Sequence, residues 1–92
     1  MRDAKRITLA QARTLMEQQT ELWDVRTPRE YAMGHISGAR NVPLASLDDA
    51  ISAQPPATVI VYCRSGQRSA AAARQLAGAG WCVYDLGGIA NL

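Results

Sequence analysis

Apolar positions along the chain change rhythm from one stretch to the next, and each rhythm predicts an element. Leu9, Ala12, Leu15 and Met16 fall on one face at helical spacing. Thr8 in front of them is a good N-cap, and Gln11 three residues on completes a capping box, so a helix runs from Thr8 until it fades around Gln18–Thr20. Leu22-Trp23-Asp24-Val25 reads as a short strand buried on both faces, with Asp24 and Arg26 at its carboxyl end. Thr27-Pro28-Arg29-Glu30 starts a second helix, with Thr as cap and Pro in the first turn, and Gly34 ends it early. His35 to Ala39 is rich in turn residues and leads into an extended segment, Asn41-Val42-Pro43. Ser46 with Asp49 marks a third helix start, running through about Ile51, and Pro55-Pro56 forces an extended exit.

Thr58 to Tyr62 is the strongest strand signal, an uninterrupted apolar and β-branched run suited to the centre of a parallel sheet. A helix from Ser69 to about Ala79 follows. It is small-sided (Ala70 to Ala73, Ala77), which lets it lie close to a sheet, and Gly80 is a natural C′ residue. Trp81 to Leu86 makes the last strand, with Gly87-Gly88 as a flexible turn at its end and residues 1–6 as a loose polar lead-in. Helices and strands therefore alternate. The fold class is α/β: three layers, with a mostly parallel central sheet of about four to five strands and helices on both faces. Residues 1–92 form a single domain without repeat, linker or low-complexity tract.

Composition narrows the function classes. The 92 residues are 48% hydrophobic but only 5% aromatic, with no Phe, so the core is built from Leu, Ile, Val and Ala. The ten basic residues are spread along the chain and the net charge is +2, which leaves no footprint for nucleic acid. No apolar run is long enough to span a bilayer and no signal peptide precedes the domain, so the expected setting is cytoplasmic, with periplasmic as the alternative had a signal been removed. Two cysteines, Cys63 and Cys82, do not make a disulfide framework. One histidine and two separated cysteines give no zinc site, and no cofactor is implied. A monomer is the default.

The chemistry concentrates in Cys63-Arg64-Ser65-Gly66-Gln67-Arg68-Ser69, a cysteine at the carboxyl end of the strongest strand on a tight loop that feeds a helix. The first amides of a helix lack internal partners and carry partial positive charge. With Arg64 and Arg68 the loop becomes an anion cradle with a thiol at its base, and such surroundings favour the reactive thiolate. In doubly wound sheets the functional crevice lies outside the carboxyl ends of the strands, where Asp24, Arg26, Cys63, Asp85 and Gly87-Gly88 are all expected.

Three separated motifs and a closing turn resemble the rhodanese homology family. Asp24-Val25-Arg26 with Pro28, Glu30 and Tyr31 is similar to its opening motif. Gly34-His35-Ile36-Ser37-Gly38-Ala39, continuing to Asn41-Val42-Pro43, is similar to its second. Cys63 to Ser69 resembles its active-site loop, and Asp85-Leu86-Gly87-Gly88 its closing turn. The resemblance spans roughly residues 7–90. It implies that Cys63 is the sulfur-carrying nucleophile of a thiosulfate:cyanide type sulfurtransferase, that amides of Arg64, Ser65, Gly66, Gln67, Arg68 and Ser69 line the pocket, and that the Arg64 and Arg68 side chains help hold the anion. The implied partners are a small sulfur donor and a cyanide or thiol acceptor, a thioredoxin-like protein being one candidate. Family members often continue past the paired glycines into a further helix that carries a Trp; this sequence runs to Leu92, and the rim from that region is left open.

Each singled-out residue has a plainer reading beside the chemical one. Cys63 as a merely buried thiol conflicts with its arginine-flanked loop. Cys82 sits inside a strand and is expected to be a small core residue rather than a redox partner. His35, in a Gly-flanked turn, is expected to be structural. Asp24, Arg26 and Glu30 are expected to form an ion-pair network that supports the pocket. Two rival functions remain: a rhodanese-like protein-interaction or persulfide-relay module, whose catalytically silent form typically loses the cysteine that is kept here, and a cysteine-loop phosphatase or arsenate reductase. In the latter the loop is one residue longer than the four residues, Arg64 to Gln67, that separate Cys63 from Arg68 here.

Overall fold

The computed structural model describes residues 4–90. Ten short elements follow one another: β1 (Lys5–Arg6), α1 (Leu9–Glu17), β2 (Glu21–Asp24), α2 (Pro28–Ala32), β3 (Arg40–Asn41), a 3-10 turn (Leu44–Ser46), α3 (Leu47–Ser52), β4 (Thr58–Cys63), α4 (Gln67–Gly78) and β5 (Cys82–Gly88). The five strands make one sheet in the order β1-β5-β4-β2-β3, and every neighbouring pair is parallel.

The side-chain period of two sorts β4 between the two faces. Val59, Val61 and Cys63 join Trp23, Leu47, Leu76 and Trp81 in the core under α3 and α4. Ile60 and Tyr62 point the other way, to Ala12, Leu22 and Ala39 under α1 and α2. Both sides are dry, so β4 reads as a continuous apolar run. Leu76 has no exposed surface, and truncating it to Ala would cost about 2–5 kcal/mol. Ser69, Ala72, Ala73 and Ala77 form the buried stripe of α4, and their small side chains bring that helix close to the sheet.

Helix ends follow the sequence closely. Thr8 with Gln11 and Thr27 with Glu30 both form complete capping boxes. α4 closes in a Schellman motif, with Gly80 at φ +92°, its N–H donating to the Ala77 carbonyl and the Trp81 N–H donating to that of Leu76. Ser46 is different. It makes no side-chain cap, because the 3-10 turn has already set the backbone helical before α3 begins.

Two further expectations are corrected. Within the stretch read as a loose lead-in, Lys5–Arg6 is an edge strand paired with Tyr84 and Asp85. Gly87-Gly88 is not a flexible turn: β5 runs through both glycines, and they pair with Tyr62 and Cys63 past a register shift in β4. The extra residue at the shift is Leu86, which is paired with neither Val61 nor Tyr62, and Gly87 follows it at φ +84°.

Candidate active site

Cys63 is the last residue of β4, and α4 starts four residues later at Gln67. Between them Arg64, Ser65 and Gly66 turn the chain sharply. Gly66 takes φ +94°, a conformation that an L-residue with a side chain rarely adopts, and stands as the N-cap of α4. This turn aims two amides at the cysteine. The Gly66 N–H donates to Sγ at 3.0 Å and the Ser69 N–H at 3.3 Å. Ser69 Oγ donates back to the Gly66 carbonyl at 3.2 Å and ties the loop to the first turn of the helix. From the other side the Ile89 N–H donates to the Cys63 carbonyl at 2.8 Å. The thiol is buried beneath this wrap.

A cleft of about 240 Å³ opens beside the loop, lined by Arg26, Glu30, Met33, Gly34, Arg64, Ile89 and Ala90. Arg64 is exposed and makes no ion pair among the described residues. The expected ion-pair network proves to be two separate pairs. Arg26 is buried on Asp24, its Nε donating to both carboxylate oxygens at 3.0 Å and its Nη2 to Oδ2 at 2.7 Å; Nη2 also donates to the Gly34 carbonyl at 2.6 Å. Hydrogen bonding to Asp24 outweighs burial and raises the Arg26 pKa further. Glu30 instead holds Arg68, whose Nη1 and Nη2 donate to Oε1 at 2.6 Å and Oε2 at 3.0 Å. That bidentate bond, helped by the Thr27 N–H, lowers the Glu30 pKa to about 2, and Glu30 in turn raises that of Arg68.

Tyr62, which belongs to none of the sequence motifs, and Asn41, which the second motif contains without a role assigned to it, complete the support. Tyr62 donates its hydroxyl to Asp24 Oδ2 at 2.8 Å and accepts from the Ile36 N–H at 3.0 Å. Burial is the largest cause pushing its pKa up, so it stays a neutral donor. Asn41 Nδ2 donates to the carbonyls of Asp24 and Arg26, both at 3.0 Å. Their sequence signal was a hydroxyl in an otherwise apolar strand and a carboxamide close before a proline. Together they fasten β2, β4 and the 34–36 turn behind the cleft.

The remaining candidates lie away from the sulfur. His35 is exposed, stacked on the Tyr31 ring at 3.7 Å, with Nδ1 donating to the Tyr31 carbonyl at 2.9 Å. Cys82 is half-buried at the start of β5, opposite Thr58, and so is not the core residue expected. Asp85 lies inside β5 opposite Val61, short of its end, its Oδ1 accepting from the Gly87 N–H at 2.8 Å. Among the described residues no cluster of His, Cys, Asp or Glu could hold a metal, and no helix is long and apolar enough to cross a membrane.

A thiol under two amides at a helix start, with arginines around it, can hold negative charge on sulfur and receive an anion beside it. Known proteins share this frame. A thiosulfate sulfurtransferase GlpE of Ectopseudomonas mendocina (strain ymp) is 42% identical over 90 residues, 96% of this chain and 83% of that relative. The human single-domain sulfurtransferase TSTD1 superposes with a TM-score of 0.82 at 25% identity, over 92% of this chain and 90% of that one. A rhodanese homolog, TT1651, of the extreme thermophile Thermus thermophilus gives 0.77 at 25% identity, over 96% and 100%. The rhodanese-like domain model matches residues 8–91, so the strand, loop and helix that carry Cys63 fall within it, and the chain belongs to the rhodanese-like domain family.

Proposed function

We propose that the protein is a sulfurtransferase that takes the outer sulfur of thiosulfate, or of a similar donor, onto Cys63 and passes it to cyanide or a thiol. The observation that carries this reading is the pair of amides, from Gly66 and Ser69, that converge on Cys63 Sγ at the start of α4. Thiosulfate sulfurtransferases among the relatives support it.

The Cys63 thiolate attacks the outer sulfur of the donor. A sulfur–sulfur bond forms to Cys63, the bond within thiosulfate breaks, and its electron pair leaves on sulfite. Charge balances: the thiolate and the dianion become a persulfide anion and sulfite dianion. In the second half the acceptor attacks the outer persulfide sulfur. Cyanide leaves as thiocyanate and Cys63 returns as thiolate. No proton has to move in either half with these reactants, which suits a loop without a neighbouring base. The amides serve both states, donating to whichever sulfur carries the charge, and they are fixed before the reaction begins. Arg64, at the cleft rim, draws the charged end of the donor. A thiol on a thioredoxin-like protein would serve as acceptor by the same attack.

Intact mass tests this directly. Thiosulfate should add one sulfur atom, about 32 Da, which cyanide removes and which Cys63→Ser never acquires. A folded, reduced protein that gains no mass would overturn the thiosulfate reading.

A further inference from the structure

Three arginines surround the cysteine loop, but they differ in what faces the cleft. Arg26 and Arg64 line it, and so does Glu30. Arg68 does not. It borders a neighbouring recess, walled by Val25, Arg26, Thr27, Pro43, Leu44 and Ala45, and from there reaches Glu30; Arg26 is the residue that the recess shares with the cleft. Both Glu30 oxygens are engaged: Oε1 takes Arg68 Nη1 and the Thr27 N–H and hydroxyl, and Oε2 takes Arg68 Nη2. Arg26 is already matched by Asp24. Of these three arginines, the one whose guanidinium is left without an ion pair is Arg64. A doubly charged donor therefore meets a cleft carrying a carboxylate and about one unit of uncompensated positive charge.

We propose that Glu30 is the residue that sets anion affinity in the donor cleft, by presenting its own charge there and by holding Arg68 outside. This deepens the sulfurtransferase reading and rests on it. The chemical advantage is turnover. Thiosulfate and the sulfite it releases carry the same charge and the same trigonal array of oxygens, so a second free arginine would tighten both alike. Equal tightening of donor and leaving group does not speed the chemical step, and it slows product departure. Moderated charge also disfavours other inorganic dianions, sulfate and phosphate among them, that have no sulfur to give.

The inference predicts a specific pattern in a double-mutant cycle. On a Cys63→Ala background, which binds without reacting, thiosulfate and sulfite are titrated by calorimetry against the parent, Glu30→Gln, Arg68→Met and the double variant. Glu30→Gln should tighten both anions by about three- to tenfold and steepen the salt dependence, because a negative charge leaves the cleft and a positive one is released. Arg68→Met should weaken both by a similar factor, since it uncovers the Glu30 carboxylate. The double variant should return to within about twofold of the parent, because a neutral pair replaces a neutral pair.

Were Arg68 itself the anion ligand, the double variant would stay as weak as Arg68→Met, and that result overturns the inference. So does unchanged affinity in a folded Glu30→Gln, in which the amide oxygen can keep the helix cap as Gln11 does for Thr8 while the charge is gone. If Glu30→Gln does not fold, Glu30→Met and its double variant with Arg68→Met take its place in the same cycle, with the same outcomes deciding. Binding here needs no turnover. A wild-type protein that binds thiosulfate but gains no sulfur would overturn the sulfurtransferase reading and leave this inference standing; absence of binding to the parent overturns the inference whatever the mass experiment gives.

Discussion

Gly88 lies so close to Arg64 that a Cβ placed on it would sit 2.6 Å from the Arg64 carbonyl oxygen, and 2.7 Å from the carbonyl carbon of Ser65. The neighbours are backbone, so no side chain can rotate away. The last residue of β5 is thus the floor against which the cysteine loop is pressed, and only glycine permits the approach.

Gly88→Ala should therefore act on the loop first. The loop must lift, and the Gly66 and Ser69 amides then leave their 3.0 and 3.3 Å positions on Sγ. We expect kcat/KM with thiosulfate to fall at least tenfold, with about 1–3 kcal/mol of lost stability from overpacking. Steady-state kinetics beside urea unfolding separates the two. A variant with wild-type kcat/KM would show that the loop position is not what the sulfur requires.

That contact explains why the glycine pair misleads a reading from sequence. Gly-Gly after an apolar strand carries the same local signal whether it is a flexible turn or a strand end crowded by another loop, and only the tertiary neighbour tells them apart. Lys5–Arg6 escapes notice for a related reason: both residues are exposed at the sheet edge, so no apolar alternation announces the strand. Central elements are legible because burial writes itself into composition, as in Thr58 to Cys63, and because caps act locally, as at Thr8 and Thr27. The cysteine loop is legible for the same local reason. Partner choice is not. Nothing in the chain order says that Arg68 meets Glu30 rather than the cleft, since the two are 38 residues apart.

The buried side of the site depends on the Tyr62 hydroxyl. Tyr62→Phe removes the donor to Asp24 Oδ2 and the acceptor of the Ile36 N–H, at a cost of about 1–3 kcal/mol. It should also change the alkaline limb. Tyr62 has its pKa raised in the fold, so above about pH 10 the unfolded chain loses the proton while the native one keeps it, and stability falls as pH rises. Urea midpoints between about pH 8 and 11 should fall less steeply in Tyr62→Phe. Parallel curves would remove Tyr62 as the source.

The Glu30–Arg68 pair gives the opposite limb. Glu30 has its pKa lowered from 4.5 to about 2, so its contribution is complete above pH 4.5 and is lost as pH falls toward 2. Because both side chains keep some solvent contact, the contribution is about 1 kcal/mol. Glu30→Gln should lower stability at neutral pH and flatten the acid limb between pH 4.5 and about 2, read from urea midpoints. An unchanged acid limb would mean that the pair is broken in solution.

The two cysteines should never join within one molecule. Cys63 is opposite Gly88 and Cys82 is opposite Thr58, the last and first residues of the six-residue strand β4. The sheet is parallel, so the two sulfurs are separated by about 16 Å along the strands, whereas a disulfide needs Cα atoms within about 7 Å. Bridging them would require β5 to slide nearly its whole length past β4. Oxidant should therefore leave the monomer without the two-hydrogen mass loss of an internal disulfide, and Cys82→Ala should keep full sulfur transfer. A Cys63–Cys82 peptide from digestion of oxidised monomer would contradict the β4–β5 register itself.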